Sequence, residues 1–243
     1  MVTARFKVFM AFIVFFFGAL LTHTVTIYVS PRLDIGFLAV KQDVIHLHYW
    51  RVAFYVHVFS SVGLLFIGAA QFSQAIRRRF MKVHILFGRA YVVIILGIAG
   101  PTGFVLAIHA LGGPWSQAGF LALAILWIVF TFLAYRHALR RDIRRHREHM
   151  LRSYALTLNA ITVRLLGYLA VAFPVVSQID SYRIGSWLAW IINLACAELL
   201  IRSKASAKEQ PPQPVSPEGT RAEPAFGARV RFSLLPRYNG PKG

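Results

Sequence analysis

The sequence predicts an all-α, polytopic membrane bundle of about six transmembrane helices, with a four-helix core formed by helices two to five and a disordered C-terminal tail. Three observations carry this. Of 243 residues, 57% are hydrophobic and only 15% are charged, with a mean hydropathy of +0.56, more apolar surface than a soluble domain of this size can bury. Six apolar runs approach the roughly 20 residues a helix needs to cross a bilayer. The basic residues gather in alternate loops, as they do on the cytoplasmic side of a membrane protein.

The runs fall at approximately 8–29, 52–72, 85–110, 117–137, 154–175 and 184–201. The first follows Arg5 and Lys7; it is long and lacks a small-x-small cleavage site, which favours a retained helix over a signal peptide. Arg77, Arg78, Arg79 and Lys82 separate runs two and three, and a set from Arg136 to Arg152 separates four and five, whereas residues 110–117 carry no positive charge. Both termini are therefore expected in the cytoplasm, in a bacterial inner membrane. Tyr49, Trp50, Trp115, Tyr182 and Trp187 are placed to form an outer aromatic belt. Gly112-Gly113-Pro114 should make a tight outer turn between runs three and four, and Pro101 and Pro174 should kink or stop their helices. The bundle is read as residues 1–202. Residues 203–243 hold seven of the eleven prolines with many charges, a basic composition that cannot bury a core and predicts a disordered cytoplasmic tail.

The net charge of +18 does not point to nucleic acid, because it is dispersed between apolar runs and not spread over a soluble face. The single cysteine, Cys196, excludes an internal disulfide and any CxxC motif. No GxGxxG, phosphate loop or HExxH occurs, so no catalytic residue is assigned.

Polar residues inside the runs are the informative ones. Ser60, Ser61, Gly68 and Gln71 lie within about 60° of His57 on one helical face. His84 opens the next helix, with Gly88, Tyr91 and Thr102 near a similar face. On an unbroken helix from 146, His146, Ser153, Thr157 and Arg164 fall within about 20° of one line, and these faces should converge in the bundle. Arg164 then lies near the midplane without a carboxylate beside it, which an intramembrane arginine tolerates when it meets carbonyls, water or an anionic ligand.

Nine histidines add a second theme. His84 and His146 share the inner interface and are candidate metal ligands, specifically axial ligands of a haem b, with His57 at a second site and Arg164 beside a propionate or a quinone oxygen. Asp43, His46 and His48 form a lesser candidate for an outer metal. Asp142 and Glu148 read as charge neutralisers in a basic loop.

HVFSSVGLLFIGAAQF (57–72), HILFGRAYV (84–92), HREHMLRSYALT (146–157) and VRL (163–165) together resemble a family of bacterial multi-pass membrane proteins catalogued as domain of unknown function 2306. The resemblance covers roughly 50–170 and implies that His57, Gln71, Phe72, His84, Gly88, Arg89, Tyr91, His146, Met150, Arg152, Ser153 and Arg164 are the shared positions. His149 stands where the family usually has Trp, and Ala69-Ala70 where Gly-Pro is common. His149 is thereby set apart from any shared role. The histidine-bearing core is also similar in style to cytochrome b561 and ferric-reductase haem bundles.

Three functions follow as expectations. The first is haem-b electron transfer, with a quinone or redox partner and with His84, His146, His57, Arg164, Gln71, Arg89 and Tyr91 as cofactor-binding candidates. The second is transport of a small solute or proton through a cavity containing His57 and Arg164. The third is a structural membrane protein whose basic loops engage anionic lipid or another subunit.

Overall fold

The computed structural model describes residues 4–173 and 175–209. The 203–243 tail and Pro174 therefore fall largely or wholly outside the described residues. Everything described is helix, turn or loop. The elements are α1 (Ala4–Thr26), α2 (Gly36–Ala39), α3 (His48–Gln71), α4 (Gln74–Arg79), α5 (Met81–Ile94), α6 (Gly100–Ile108), α7 (Pro114–Leu139), α8 (Ile143–Thr157), α9 (Asn159–Ala172) and α10 (Gln178–Glu209).

Among the described residues five helices are long and apolar enough to cross a bilayer: His48–Gln71, Met81–Ile108, Pro114–Leu139, Ile143–Ala172 and Gln178–Ser203. They match runs two to six. Run one is α1, whose described apolar stretch, Phe15–Val29, is shorter than a full crossing.

Pro101 does not stop its helix. Lacking an N–H and crowding the carbonyl four residues back, it is accommodated by a widened π turn over Ile95–Ala99 that joins α5 to α6. The Gly112–Gly113 turn forms as expected, with φ +83° and +75°, values that glycine alone adopts freely; the end of the bundle that carries it is termed outer, and the opposite end inner, after the expected orientation. Arg183 Nε donates to Gly112 O at 2.9 Å, tying this turn to α10.

Run five differs most. Its helix begins eleven residues earlier than read, at Ile143, because Asp142 caps it by accepting from the Arg145 N–H at 3.1 Å. The charged first turns remain helical because their long side chains reach out to the polar interface. A single turn residue, Leu158, itself in the right-handed helical region, joins α8 to α9, and the two run on as one apolar span, Ile143–Ala172.

The central core joins Leu64, Tyr91, Ile95, Trp127, Ala134, Met150, Tyr154 and Trp190. A second cluster under the outer loop joins Tyr28, Leu38, Val44, Trp50 and Phe54. Trp50 thus belongs to the interior, 1% exposed, while Tyr49 and Trp115 are exposed as belt residues should be.

At the inner end Arg152 pairs with Glu198 through two contacts, Nε–Oε1 at 2.5 Å and Nη2–Oε2 at 3.0 Å, linking α8 to α10. The pair is largely shielded, at 17% and 34% side-chain exposure. Glu198→Gln is expected to destabilise by about 1–3 kcal/mol, since it leaves a partly buried guanidinium with a neutral partner. An apolar Arg152→Met/Glu198→Leu double variant should recover part of that loss in thermal unfolding.

Candidate functional site

The polar residues singled out in the sequence separate into three places along the bundle.

The first is a cavity of about 760 Å³ toward the end of the bundle that carries the Gly112–Gly113 turn. Residues of α1, α3, α6, α7, α8, α9 and α10 line it, together with the segment from Ile27 to Lys41. Both His57 and Arg164 line it. His57 Nδ1 lies 2.9 Å from Ala99 O, in the π turn. A carbonyl only accepts, so Nδ1 carries the proton and Nε2 is left as the acceptor nitrogen. Gly103 is needed here: a Cβ on it would stand 2.9 Å from His57 Cε1. Arg164 is accessible, and its Nη1 donates to Ala160 O at 2.7 Å, one turn back on α9. Among the described residues no carboxylate pairs with it.

Sequence reading missed Lys41. It is 2% exposed, lines the same cavity, donates through Nζ to His109 O and stands 3.9 Å from Asp43 Oδ2. Burial holds its ammonium pKa below the usual lysine range, with Asp43 acting in the opposite direction. Nothing in the loop's pattern marks this lysine as buried; its position follows from how the loop folds over. Trp50 Nε1, Ser61 Oγ, Asn159 Oδ1 and Ser181 Oγ also belong to lining residues, and each is a buried polar atom without a partner. Asn159, in the same apolar run as Arg164, was legible as another intramembrane polar residue.

The second place is a buried hydroxyl layer. Tyr91 OH lies 2.8 Å from Thr157 Oγ1 and 3.1 Å from Ser153 Oγ, which in turn is 2.7 Å from Thr131 Oγ1. Trp127 Nε1 donates to Thr157 Oγ1 at 3.0 Å. Every member is satisfied, so Tyr91 ties α5 to α7 and α8 in the way polar side chains join membrane helices. Its hydroxyl is fully engaged there.

The third place is the inner end. His146 Nδ1 lies 2.9 Å from Ala134 O, again leaving Nε2 as the acceptor. His84, half-buried, has an unpartnered Nδ1 and lies within electrostatic reach of His146 and Arg77. Gln71 is 5% exposed; its backbone carbonyl accepts from Arg77 Nη1 at 3.0 Å, while its Nε2 has no partner. Arg89 is exposed and enters no ion pair among the described residues. His149 stacks on His137, with ring centroids 5.2 Å apart and planes 6° apart, which accounts for it as packing.

The expected single wall is thus divided. His57, Thr157 and Arg164 share the outer cavity, His84 and His146 lie at the other end, and Ser153 sits between them in the hydroxyl layer, which Thr157 joins to the cavity wall. Eighteen residues at 1.5 Å each set His146 and Arg164 about 27 Å apart along the span, so they cannot share a depth. Asp43, His46 and His48 do not gather into a metal-holding group, and no such group of three or more occurs among the described residues. Asp142 and Glu148 neutralise charge, at 3.6 Å from Arg145 and 3.9 Å from Arg144.

No curated protein and no solved structure matches the chain, so the looser likeness to cytochrome b561 and ferric-reductase bundles has no support from them. A family of predicted membrane proteins, DUF2306, matches residues 54–201, extending past the 50–170 read from motifs to take in most of α10. That match covers more than half of the sequence and all five candidate membrane spans in whole or in part: the chain belongs to the DUF2306 family of predicted membrane proteins.

Proposed function

We propose that the protein binds a small amphipathic anion, an apolar body with one acidic head, in the outer cavity, as the binding step of a solute carrier. The observation that carries this is the make-up of the lining: two cations, Arg164 and Lys41, no carboxylate, and otherwise mainly apolar side chains. A volume of about 760 Å³ suits a small organic ligand. In this reading Arg164 meets the acidic head, and the rings of Phe54, Trp50 and Trp127 meet the body. The arginine-rich loops favour a bacterial inner membrane with both termini cytoplasmic, so that the cavity lies toward the outer leaflet.

Geometry favours this over haem b at His84 and His146, because neither histidine lines the large cavity. Trp50 and Trp127, both lining residues, supply a built-in fluorescence signal. Titrating purified protein with an octyl carboxylate, octylamine and octanol should give saturable change with the carboxylate and far weaker change with the others. Equal responses to all three, or none, would sink the proposal.

Lys41 predicts the pH dependence. Its charged form attracts the anion, and its pKa is lowered. Lys41's contribution to affinity should therefore be complete at low pH and fade as pH rises, beginning below the range in which an ordinary lysine titrates. Lys41→Met should remove this alkaline loss, as read from fluorescence titrations at successive pH values.

A further inference from the structure

We propose that the inner end of the bundle holds a second, independent site, in which Arg77, Arg147, His84 and the Gln71 amide receive a phosphate group. The argument begins with charge left over. Every described carboxylate at this end is committed elsewhere: Asp142 to Arg145 and His137, Glu148 to Arg144, Glu198 to Arg152. Arg77 and Arg147 have no acidic partner among the described residues, yet they lie close enough for Arg147 to act electrostatically on Arg77. Burial and these neighbouring charges, Arg147 and then Arg78, all press against the charged form of Arg77. Such crowding is costly unless an anion relieves it.

The second observation is independent of charge. Gln71 is 95% buried by complement of its 5% exposure, and its Nε2 has no partner. The amide lies beside Gly88, where an added Cβ would come 3.4 Å from Gln71 Oε1. His84 stands one turn before Gly88 on α5, and its buried Nδ1 is also unpartnered. Arg77 is fixed at this spot by its 3.0 Å bond to the Gln71 carbonyl.

Two guanidinium groups, an amide nitrogen and an imidazole make a donor-rich set. A phosphate offers acceptor oxygens to match it, and arginine forks meet phosphate in two-point geometry. A phosphodiester of an inner-leaflet lipid and free phosphate share this chemistry. Phe80 and Met81, 57% and 52% exposed beside the site, would lie against the acyl chains of such a lipid.

The test uses the full chain purified in a maltoside detergent, with thermal unfolding followed during titration. The probes are a short-chain phosphatidylglycerol, inorganic phosphate and a short-chain diacylglycerol. Phosphatidylglycerol should raise the midpoint saturably and diacylglycerol should not. Inorganic phosphate producing the same rise at similar concentration would assign the site to the free ion. Arg77→Gln/Arg147→Gln should raise the half-saturating concentration by about tenfold or more, the loss of at least one charged hydrogen bond. Arg79→Gln/Arg140→Gln removes the same charge from two arginines outside the proposed donor set and should change it by less than about twofold. Equal losses in the two double variants would reduce the effect to a diffuse basic surface and overturn the site. So would the absence of a shift with either phosphate compound, or a Soret band abolished by His84→Ala, which would give the histidine to a haem.

Discussion

Arg164→Gln is expected to weaken binding of an octyl carboxylate by about 10–100-fold, the worth of a charged hydrogen bond in a site partly screened from water. The fold should survive the change. Arg164 is accessible and not packed in the core, and its one hydrogen bond is a short-range bond to Ala160 O on its own helix. Glutamine can still reach such a carbonyl. What it cannot supply is positive charge in a cavity whose lining includes no acid. Arg164→Lys separates charge from shape: it keeps the cation, loses the planar fork, and should fall between wild type and Arg164→Gln. Tryptophan fluorescence titration gives the affinity, and the unfolding midpoint checks the fold. An affinity unchanged in Arg164→Gln would remove the arginine from the site and with it the main support for an anionic ligand.

The crossings were legible because each is a continuous apolar run, and lipid leaves the backbone no alternative to a helix. The start of the fifth was not, since the stretch from Ile143 to Arg152 is dominated by charge and hydropathy sees no helix there. Its Asp142 cap is the local signal that could have marked it. Spacing correctly brought Ser153 and Thr157 together as an inward face. It did not gather His146 with Arg164, because angle alone says nothing of the roughly 27 Å that eighteen residues put between them along a helix.

The stripe on α3 shows a subtler limit. His57 and Ser61 line the outer cavity, Gly68 receives the rings of Tyr154 and Tyr91, and Gln71 closes the inner end. One face of one helix therefore serves three environments at different depths. Periodicity reports direction well but says little about what arrives from other helices. The cavity itself was invisible for the same reason. It exists because the loop holding Tyr28 and Lys41 folds over α3, with the Phe37 N–H donating to Tyr28 OH at 2.9 Å and Gly36 at φ +52°, and that loop carries no regular pattern to read.

Gly68→Ala should cost about 2 kcal/mol or more, although alanine is the better helix former by about 1 kcal/mol. A Cβ at position 68 would lie 2.5 Å from two carbons of the Tyr154 ring and 3.0 Å from Tyr91 Cε2. One ring or the other must move. Neither moves freely: Tyr154 OH donates to Leu65 O at 3.0 Å, and Tyr91 OH is held by Ser153 and Thr157. Displacing either ring adds overpacking strain of about 1–3 kcal/mol to the loss of a buried hydrogen bond. For a chain of this size each kcal/mol moves the midpoint by roughly 2–4 °C, so a fall of about 4–8 °C or more is expected in thermal unfolding. Gly63→Ala is the internal control. It lies on the same helix with nothing within 4 Å of an added Cβ, so propensity alone should act there and the midpoint should hold or rise. If Gly68→Ala behaved like Gly63→Ala, the close approach of α3 to Tyr154 and Tyr91 would be wrong, and with it the packing that separates the outer cavity from the inner histidines.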